Sequence, residues 1–289
     1  ERAGHLIRYR AQSMPADIPL VGEYSIIFST DEFDVVLYDV FVLEYGIPTS
    51  AVTIDVEVQS GVLISASSTS IPALRIGDSW PDGTTITLVN AGTIAGRGGD
   101  GGDGGIVDTS TIISPSAGSD GGPALDATDY PITVDNTDGI IAGGSGGGGG
   151  GGGARSIRFG MLSWAGGSGG GGGWPFGEAG GISASSEYHS TAYDSGHPGS
   201  AAGSTTGGDG GASETTSDTV TDPPTTITST SGAGGDGGGQ YAQDGADGGD
   251  ASETGGLSPT VQNGAAGGSA GNCVNGNSNI TWTATGTRH

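Results

Sequence analysis

The sequence predicts an all-β N-terminal base that carries a polyglycine-II helix bundle (sandwich) with irregular loops, and almost no α-helix. Three observations carry that expectation. Apolar residues gather in roughly the first 95 positions and alternate strictly with polar ones over 52–58, the period that puts one face of a strand on a core. Gly supplies 63 of 289 residues, mostly in runs after residue 95, far above the usual share of about 7%. Inside the runs a non-glycine residue recurs every third position, as in Arg97, Asp100 and Asp103 or Asp244, Asp247 and Asp250.

Taken in order, 23–29, 33–45, 51–58 and 61–65 read as strands of a small antiparallel β domain. Gly46-Ile47-Pro48 and Gln59-Ser60-Gly61 supply turn chemistry between them. The Trp80-Pro81-Asp82-Gly83 turn leads into a further strand over 84–89 and divides a base, 1–83, from a glycine-rich tip, 84–289. Glycine runs follow at 97–105, 118–122, 143–153, 165–173, 203–211, 232–239, 245–249 and 264–271. Their uneven spacing argues against solenoids of constant period. A backbone with three residues per turn aligns every third side chain on one edge and leaves two bare edges for close approach of neighbouring rods. One run alone would be a linker; many adjacent runs make an ordered bundle.

A longer repeat fixes the polarity of the rods. The stretch 86–96, ITLVNAGTIAG, and the stretch 132–143, ITVDNTDGIIAG, share a strand, an Asn/Gly turn and Ile before a glycine run, and 279–286, NITWTATG, offers a third partner. If each run reverses the chain, both copies lie at the base. The connections 106–117, 154–164 and 212–231 then fall at the far tip.

The stretch 80–102, from Trp80-Pro81-Asp82-Gly83 through Asn90-Ala91-Gly92 to Gly101-Gly102, resembles the entry to the glycine-rich receptor-binding tips of tailed-bacteriophage tail fibres. The families concerned are lambda-type host-specificity (central fibre) proteins and T-even-type long-tail-fibre adhesins. The ending 280–288, ITWTATGTR, is similar to their closing segment. The resemblance implies a virion protein at the distal end of the phage tail that binds a bacterial cell-surface receptor, an outer-membrane protein or lipopolysaccharide. It also implies contact with other phage tail proteins and a homotrimer through the N-terminal region. The acidic edge here is heavier than that pattern.

Two segments carry the candidate receptor-binding residues. Arg155, Arg158, Phe159 and Trp164 combine cations with aromatics, as binding hot spots do; Ile157, Leu162 and Trp164 equally suit a small core capping the rods. Trp174, Phe176, Tyr188, His189 and Tyr193 lie among Ser and Gly, a paratope-like mixture. Parity assigns this segment to the base unless Gly177–Gly181 hides a further pass. The stretch 212–231, rich in Ser, Thr and Pro, reads as a solvated loop.

A net charge of −24 leaves no basic face for nucleic acid, and Cys273 alone excludes an intrachain disulfide. The chain opens at Glu1, as a piece of a longer protein would. The four histidines show no ligand spacing, and no nucleophile or paired-acid pattern signals catalysis. No cofactor is expected; the alternative is Ca²⁺ collected by the Gly/Asp edges. The competing readings for the whole chain are a structural or ice-binding polyglycine bundle and a calcium-binding Gly/Asp repeat protein.

Overall fold

A computed structural model describes residues 22–107, 111–158, 161–181, 192–194, 196–221 and 224–289. The base is a parallel β-solenoid with three sides. Its first rung is β1 (Glu23–Phe28), β2 (Glu32–Phe33) and β3 (Val35–Val36), followed by helix α1 (Leu37–Tyr45). The second is β4 (Thr53–Val58), β5 (Leu63–Ser65) and β6 (Leu74–Arg75). The third begins with β7 (Thr85–Asn90) and β8 (Thr93–Ala95), leaves on an excursion bearing the hairpin β9 (Ile106–Val107) and β10 (Ile112–Ile113), and returns as β11 (Leu125–Asp126).

The fourth rung repeats the device on a larger scale. After β12 (Ile132–Asp135) and β13 (Ile140–Ala142) the chain departs through β14 (Ala154–Arg158), β15 (Met161–Ala165), β16 (Ala192–Asp194), β17 (Thr215–Thr221), β18 (Pro224–Thr230), β19 (Ser252–Thr254) and β20 (Thr260–Val261). It comes back as β21 (Val274–Asn275) and closes with a fifth rung, β22 (Ile280–Ala284) and β23 (Thr287–Arg288). The three sides are the sheets β1-β4-β7-β12-β22, β2-β5-β8-β13-β23 and β3-β6-β11-β21, with every pairing parallel. Strands from both sides of residue 83 therefore share each sheet.

Alternation explains the long side. In β4 the residues Ile54, Val56 and Val58 point inward and are buried, and in β7 Ile86, Leu88 and Asn90 do the same. The repeated segments pair in register, Thr87 with Thr133 and Ile132 with Ile280. Their shared asparagine has a structural cause. Buried Asn90 donates from Nδ2 to Asn136 Oδ1 at 2.7 Å, and Asn136 Nδ2 donates in turn to the carbonyls of Thr285 and Thr287 at 3.1 and 3.0 Å. Three rungs are thus stitched at one corner by side chains whose polar atoms are satisfied within the ladder.

Two expectations are corrected. The N-terminal strands pair in parallel, not antiparallel, because each is one side of a different rung. The stretch expected as a strand over 33–45 is mostly helix: Leu37 and Phe41, four residues apart, are both buried on one face, and aromatic packing overrides the β-branched composition. Trp80 meets the rings of Phe41 and Tyr38 edge-on at 5.3 and 5.0 Å. Gly46, at φ +95°, ends the helix, its N–H bonding the Val42 carbonyl at 2.9 Å.

The excursions build the bundle. Among the described residues it contains ten straight segments, 97–105, 116–122, 143–153, 166–173, 177–181, 197–200, 207–211, 232–238, 244–250 and 264–271, cross-bonded through the backbone. In rod 143–153, successive amides donate to three different neighbours: Gly147 to Ser119, Gly148 to Gly171 and Gly149 to Ala246, at 2.8–2.9 Å. Three residues later the set repeats, Gly150 to Ser116, Gly151 to Ser168 and Gly152 to Gly249. Its carbonyls accept from three other rods, through Gly102, Gly235 and Gly268 among others. One rod is therefore ringed by six, as a three-residue helical repeat allows. Rod 166–173 is the second centre, ringed by 97–105, 143–153, 177–181, 197–200, 207–211 and 232–238.

This geometry dictates where glycine stands. A Cβ on Gly148 would lie 1.9 Å from the Gly235 carbonyl oxygen, and one on Gly147 2.1 Å from that of Asp100. Outer rods have one free edge. In 97–105, Gly98, Gly101 and Gly104 abut rod 166–173, and Gly99 and Gly102 abut rod 116–122. Arg97, Asp100 and Asp103 occupy the remaining edge. The aspartates then stand in for a missing rod. Asp244, Asp247 and Asp250 each accept, through Oδ1, the amide of Ala270, Gly267 and Gly264 at 2.7–3.0 Å; Asp100 and Asp103 do so for Glu178 and Gly181. The every-third-residue acid is a hydrogen-bond acceptor for outward-pointing amides.

Two stability measurements check this packing. Gly148→Ala is expected to destabilise by at least about 3 kcal/mol, since backbone atoms must move. Gly203→Ala, with nothing nearer its Cβ than 3.9 Å, should stay within about 0.5 kcal/mol of the parent. Replacing Asp244, Asp247 and Asp250 together by Ala should lower Tm by roughly 3–6 °C, whereas the triple Asn variant keeps an acceptor and most of the stability. Equal losses in both triples would assign the aspartates a role in charge alone.

Candidate functional site

The rods alternate in direction, so their connections collect at two ends. At the end remote from the solenoid they form two small sheets, β16-β15-β14-β20 and β17-β18-β19, beside the β9–β10 hairpin. The solvated loop expected over 212–231 contains this second sheet's hairpin, with Thr215 opposite Thr230 and Thr219 opposite Thr226. The two additional short passes, 177–181 and 197–200, restore the alternation and place β16 at the tip.

The tip sandwich has a polar interior. Ser156, Ser163 and Ser229 are wholly buried, with Trp164 and Ile227 the large side chains between the sheets. Ser163 Oγ lies 2.9 Å from Thr216 Oγ1, which donates to the Trp164 carbonyl at 3.0 Å, and Ser229 Oγ donates to the Ser163 carbonyl at 2.9 Å. Ser156 Oγ donates to Glu253 Oε2 at 3.0 Å. Hydroxyls suit this position because each satisfies a backbone or side-chain partner across a narrow gap. His197, on a returning rod, bonds Glu214 at the foot of β17.

The sequence-derived candidates divide between the two ends. Arg155 and Arg158 lie half-buried on β14, donating to Thr260 Oγ1 at 3.3 Å and to the Gly255 carbonyl at 2.8 Å. Trp164, on the neighbouring strand in register with Arg155, is only 4% exposed and serves as core. Tyr193 lies on β16, paired with Trp164. Phe159, Tyr188 and His189 lie outside the described residues.

Trp174 and Phe176 sit at the opposite end. Trp174 is buried with Leu63, Ala95 and Ala142 of the solenoid, and its indole N–H donates to the Ser204 carbonyl at 2.8 Å. Phe176 packs on Phe33 at 5.5 Å, and Tyr241 bridges Trp174 and His289. These aromatics join bundle to base, which leaves the Trp174 ring no surface to offer a ligand. Composition had grouped them with Tyr193; the intervening rod 177–181 separates them from β16.

Four exposed aliphatics at the tip carried a signal the candidates omitted: Ile112, Ile113, Leu257 and Val261 stand in otherwise polar connections. A groove of about 410 Å³ runs beside Val261, lined by Ser114, Pro115, Gln262 and Asn263 among others. No three His, Cys, Asp or Glu side chains converge to hold a metal among the described residues.

The model of one family, described as phage tail fibre adhesin Gp38, matches residues 23–289. A solved structure of the gp37–gp38 adhesin tip complex of the bacteriophage S16 long tail fiber is similar in fold, with a TM-score of 0.55 and 20% sequence identity over 92% of this chain and 80% of that one. No curated protein matches. With nearly the whole described length matched, from the first solenoid strand to the last, the chain belongs to the Gp38 family of phage tail fibre adhesins, virion tail proteins that bind rather than catalyse.

Proposed function

We propose that the distal sandwich is the receptor-binding surface and the solenoid the attachment end. The observation that carries this reading is the separation of the two ends by the rods: both excursions leave and rejoin the solenoid, and both deliver short, irregular strands to the same remote place. The receptor is a molecule of the bacterial outer surface, protein or lipopolysaccharide. Arg155 and Arg158 are the candidates retained from β14, with Phe159, Tyr188, His189 and Tyr193 on the same or adjoining connections.

The solenoid's first rung supports attachment to another tail fibre protein, as gp38 is joined to gp37 in the S16 complex. Its inward-facing apolar residues pack within one chain, and the homotrimer expected through this region would have to use its outer surface. There Ile27, Leu43 and Ile47, each more than half exposed, lie on or next to the first rung and suit a hydrophobic partner. The aspartate ladders act in folding on this reading, and the protein needs no calcium.

Adsorption tests the proposal. The purified chain is expected to bind cells of a susceptible Gram-negative strain and to block adsorption of the matching phage. Arg155→Ala with Arg158→Ala should weaken binding roughly tenfold at unchanged Tm, while Trp174→Ala should lower Tm. A well-folded chain that binds no susceptible strain would sink the receptor reading. Leu43→Asp with Ile47→Asp should abolish co-purification with the tail fibre protein and leave cell binding intact. EDTA should leave both Tm and binding unchanged; a marked drop in either would return calcium to the mechanism.

A further inference from the structure

We infer that the closing rung of the solenoid carries a binding pocket for a small organic carboxylate, with Arg288 as its anion-binding group. The site belongs to the base and stands apart from the receptor-binding reading of the tip. An open pocket of about 510 Å³ lies there, lined by Cys273, Val274, Asn277, Thr285, Gly286 and Arg288. That lining holds one cation and no acidic side chain, in a chain with 32 acidic residues against 8 basic ones.

Donors and acceptors set its chemistry. Acceptors around the pocket are already engaged by the rest of the solenoid. The Cys273 carbonyl accepts the Leu125 amide at 3.1 Å, and those of Thr285 and Thr287 accept Asn136 Nδ2 at 3.1 and 3.0 Å. Asn277 Oδ1 accepts the Trp282 indole N–H at 2.9 Å. What remains can donate: Asn277 Nδ2, the Thr285 hydroxyl and the Arg288 guanidinium. Arg288 lies over the face of Trp282, 4.3 Å from the ring centroid. Stacking uses the flat face of the guanidinium and leaves its rim of N–H groups for a ligand. None of the ion pairs among the described residues includes it, whereas Arg97 has Asp100 at 3.0 Å. Because Asn277 fixes the indole beneath, the fork is oriented before a ligand arrives, and less entropy is lost on binding.

Shape and charge select the ligand. A planar carboxylate meets the guanidinium fork with two parallel N–H···O bonds. The volume is that of a small-molecule site, more than a bare inorganic ion fills, and Val274 offers a short carbon chain an apolar wall. An acidic polymer would have to lie along a surface of net charge −24, which repels it; a small monoanion meets only the local donors. The rung concerned also closes the large excursion. His289, next to Arg288, accepts through its carbonyl the amide of Gly143 at 3.1 Å, where the central rod begins. A ligand held on this rung therefore stabilises the junction between solenoid and bundle.

The test titrates the isotope-labelled full chain with sodium butyrate, sodium phosphate and 1-butanol at constant ionic strength. The resonances followed are the Trp282 indole N–H and the Asn277 side-chain amide. Butyrate should move both saturably, and should bind at least about tenfold more tightly than phosphate or 1-butanol. At a tenfold excess over its Kd it should raise Tm by roughly 2–4 °C. Arg288→Gln should weaken butyrate binding at least about tenfold, and Arg288→Lys, which keeps the charge but not the fork, should fall between. Equal binding of phosphate and butyrate would overturn the inference in favour of an adventitious ion only. So would butyrate shifts that survive Arg288→Gln, or the absence of any saturable shift in wild type. The comparison of the three probes on wild type needs no variant to fold, and none of these results bears on cell binding by the tip.

Discussion

The amide–carbonyl bond between adjacent glycine rods is the interaction on which the rest of the molecule depends. A three-residue repeat aims successive N–H groups in three directions and the carbonyls in three others, so a rod ringed by six leaves no backbone group unpaired. Each bond contributes modestly on balance, and glycine is the costliest residue to order. The lattice succeeds because its bonds are closed in every direction at once. Ser145 and Ser168 show where that closure relaxes. Both are buried within central rods, and each has its hydroxyl on the carbonyl of a residue where a neighbouring rod ends, Gly239 and Ala212. A Cβ is tolerated there because the neighbour has turned away.

The solenoid meets a different demand. A lattice of bare backbone has no side chains with which to anchor itself, so its first and third rods grow directly out of β8 and β13, whose own pairing is already in register. The buried Asn90–Asn136 contact lies at the corner just before those strands, and Trp174, Phe176 and Tyr241 close over the seam from the bundle side. Register in the bundle is inherited from register in the sheets. A slip of one residue would turn every glycine edge onto the wrong neighbour.

Much of this was legible from periodicity. Alternation over 52–58 identified β4, the Asn-containing repeat identified strands that pair, and the period of three in the runs identified the outer edge that Asp100 and Asp244 occupy. The runs 143–153 and 166–173, each glycine throughout but for one serine, could have been recognised as central from the same rule, since an enclosed rod has almost no room for side chains on any of its three edges. The rungs were harder to see because insertions break their period: β4 and β7 begin at Thr53 and Thr85, but β22 begins at Ile280. The helix was hidden by a composition that suits strands, and resolved only by the Phe41–Trp80 contact from another rung. Trp164 and Trp174 are large because each fills a junction, one in the sandwich and one at the base.

The polar interior of the tip follows from the same division of labour. Its strands are fixed at both ends by rods, so the chain-ordering entropy there is largely met by the lattice, and no large apolar core is required between the sheets. Hydroxyl pairs such as Ser163 with Thr216 suffice to set their spacing. Outward side chains on β10 and β20 then carry little folding duty, as Ile112 and Val261 show by their exposure. A surface relieved in this way can change its residues while the glycine lattice beneath it stays the same, because the lattice recognises backbone and the surface recognises something else.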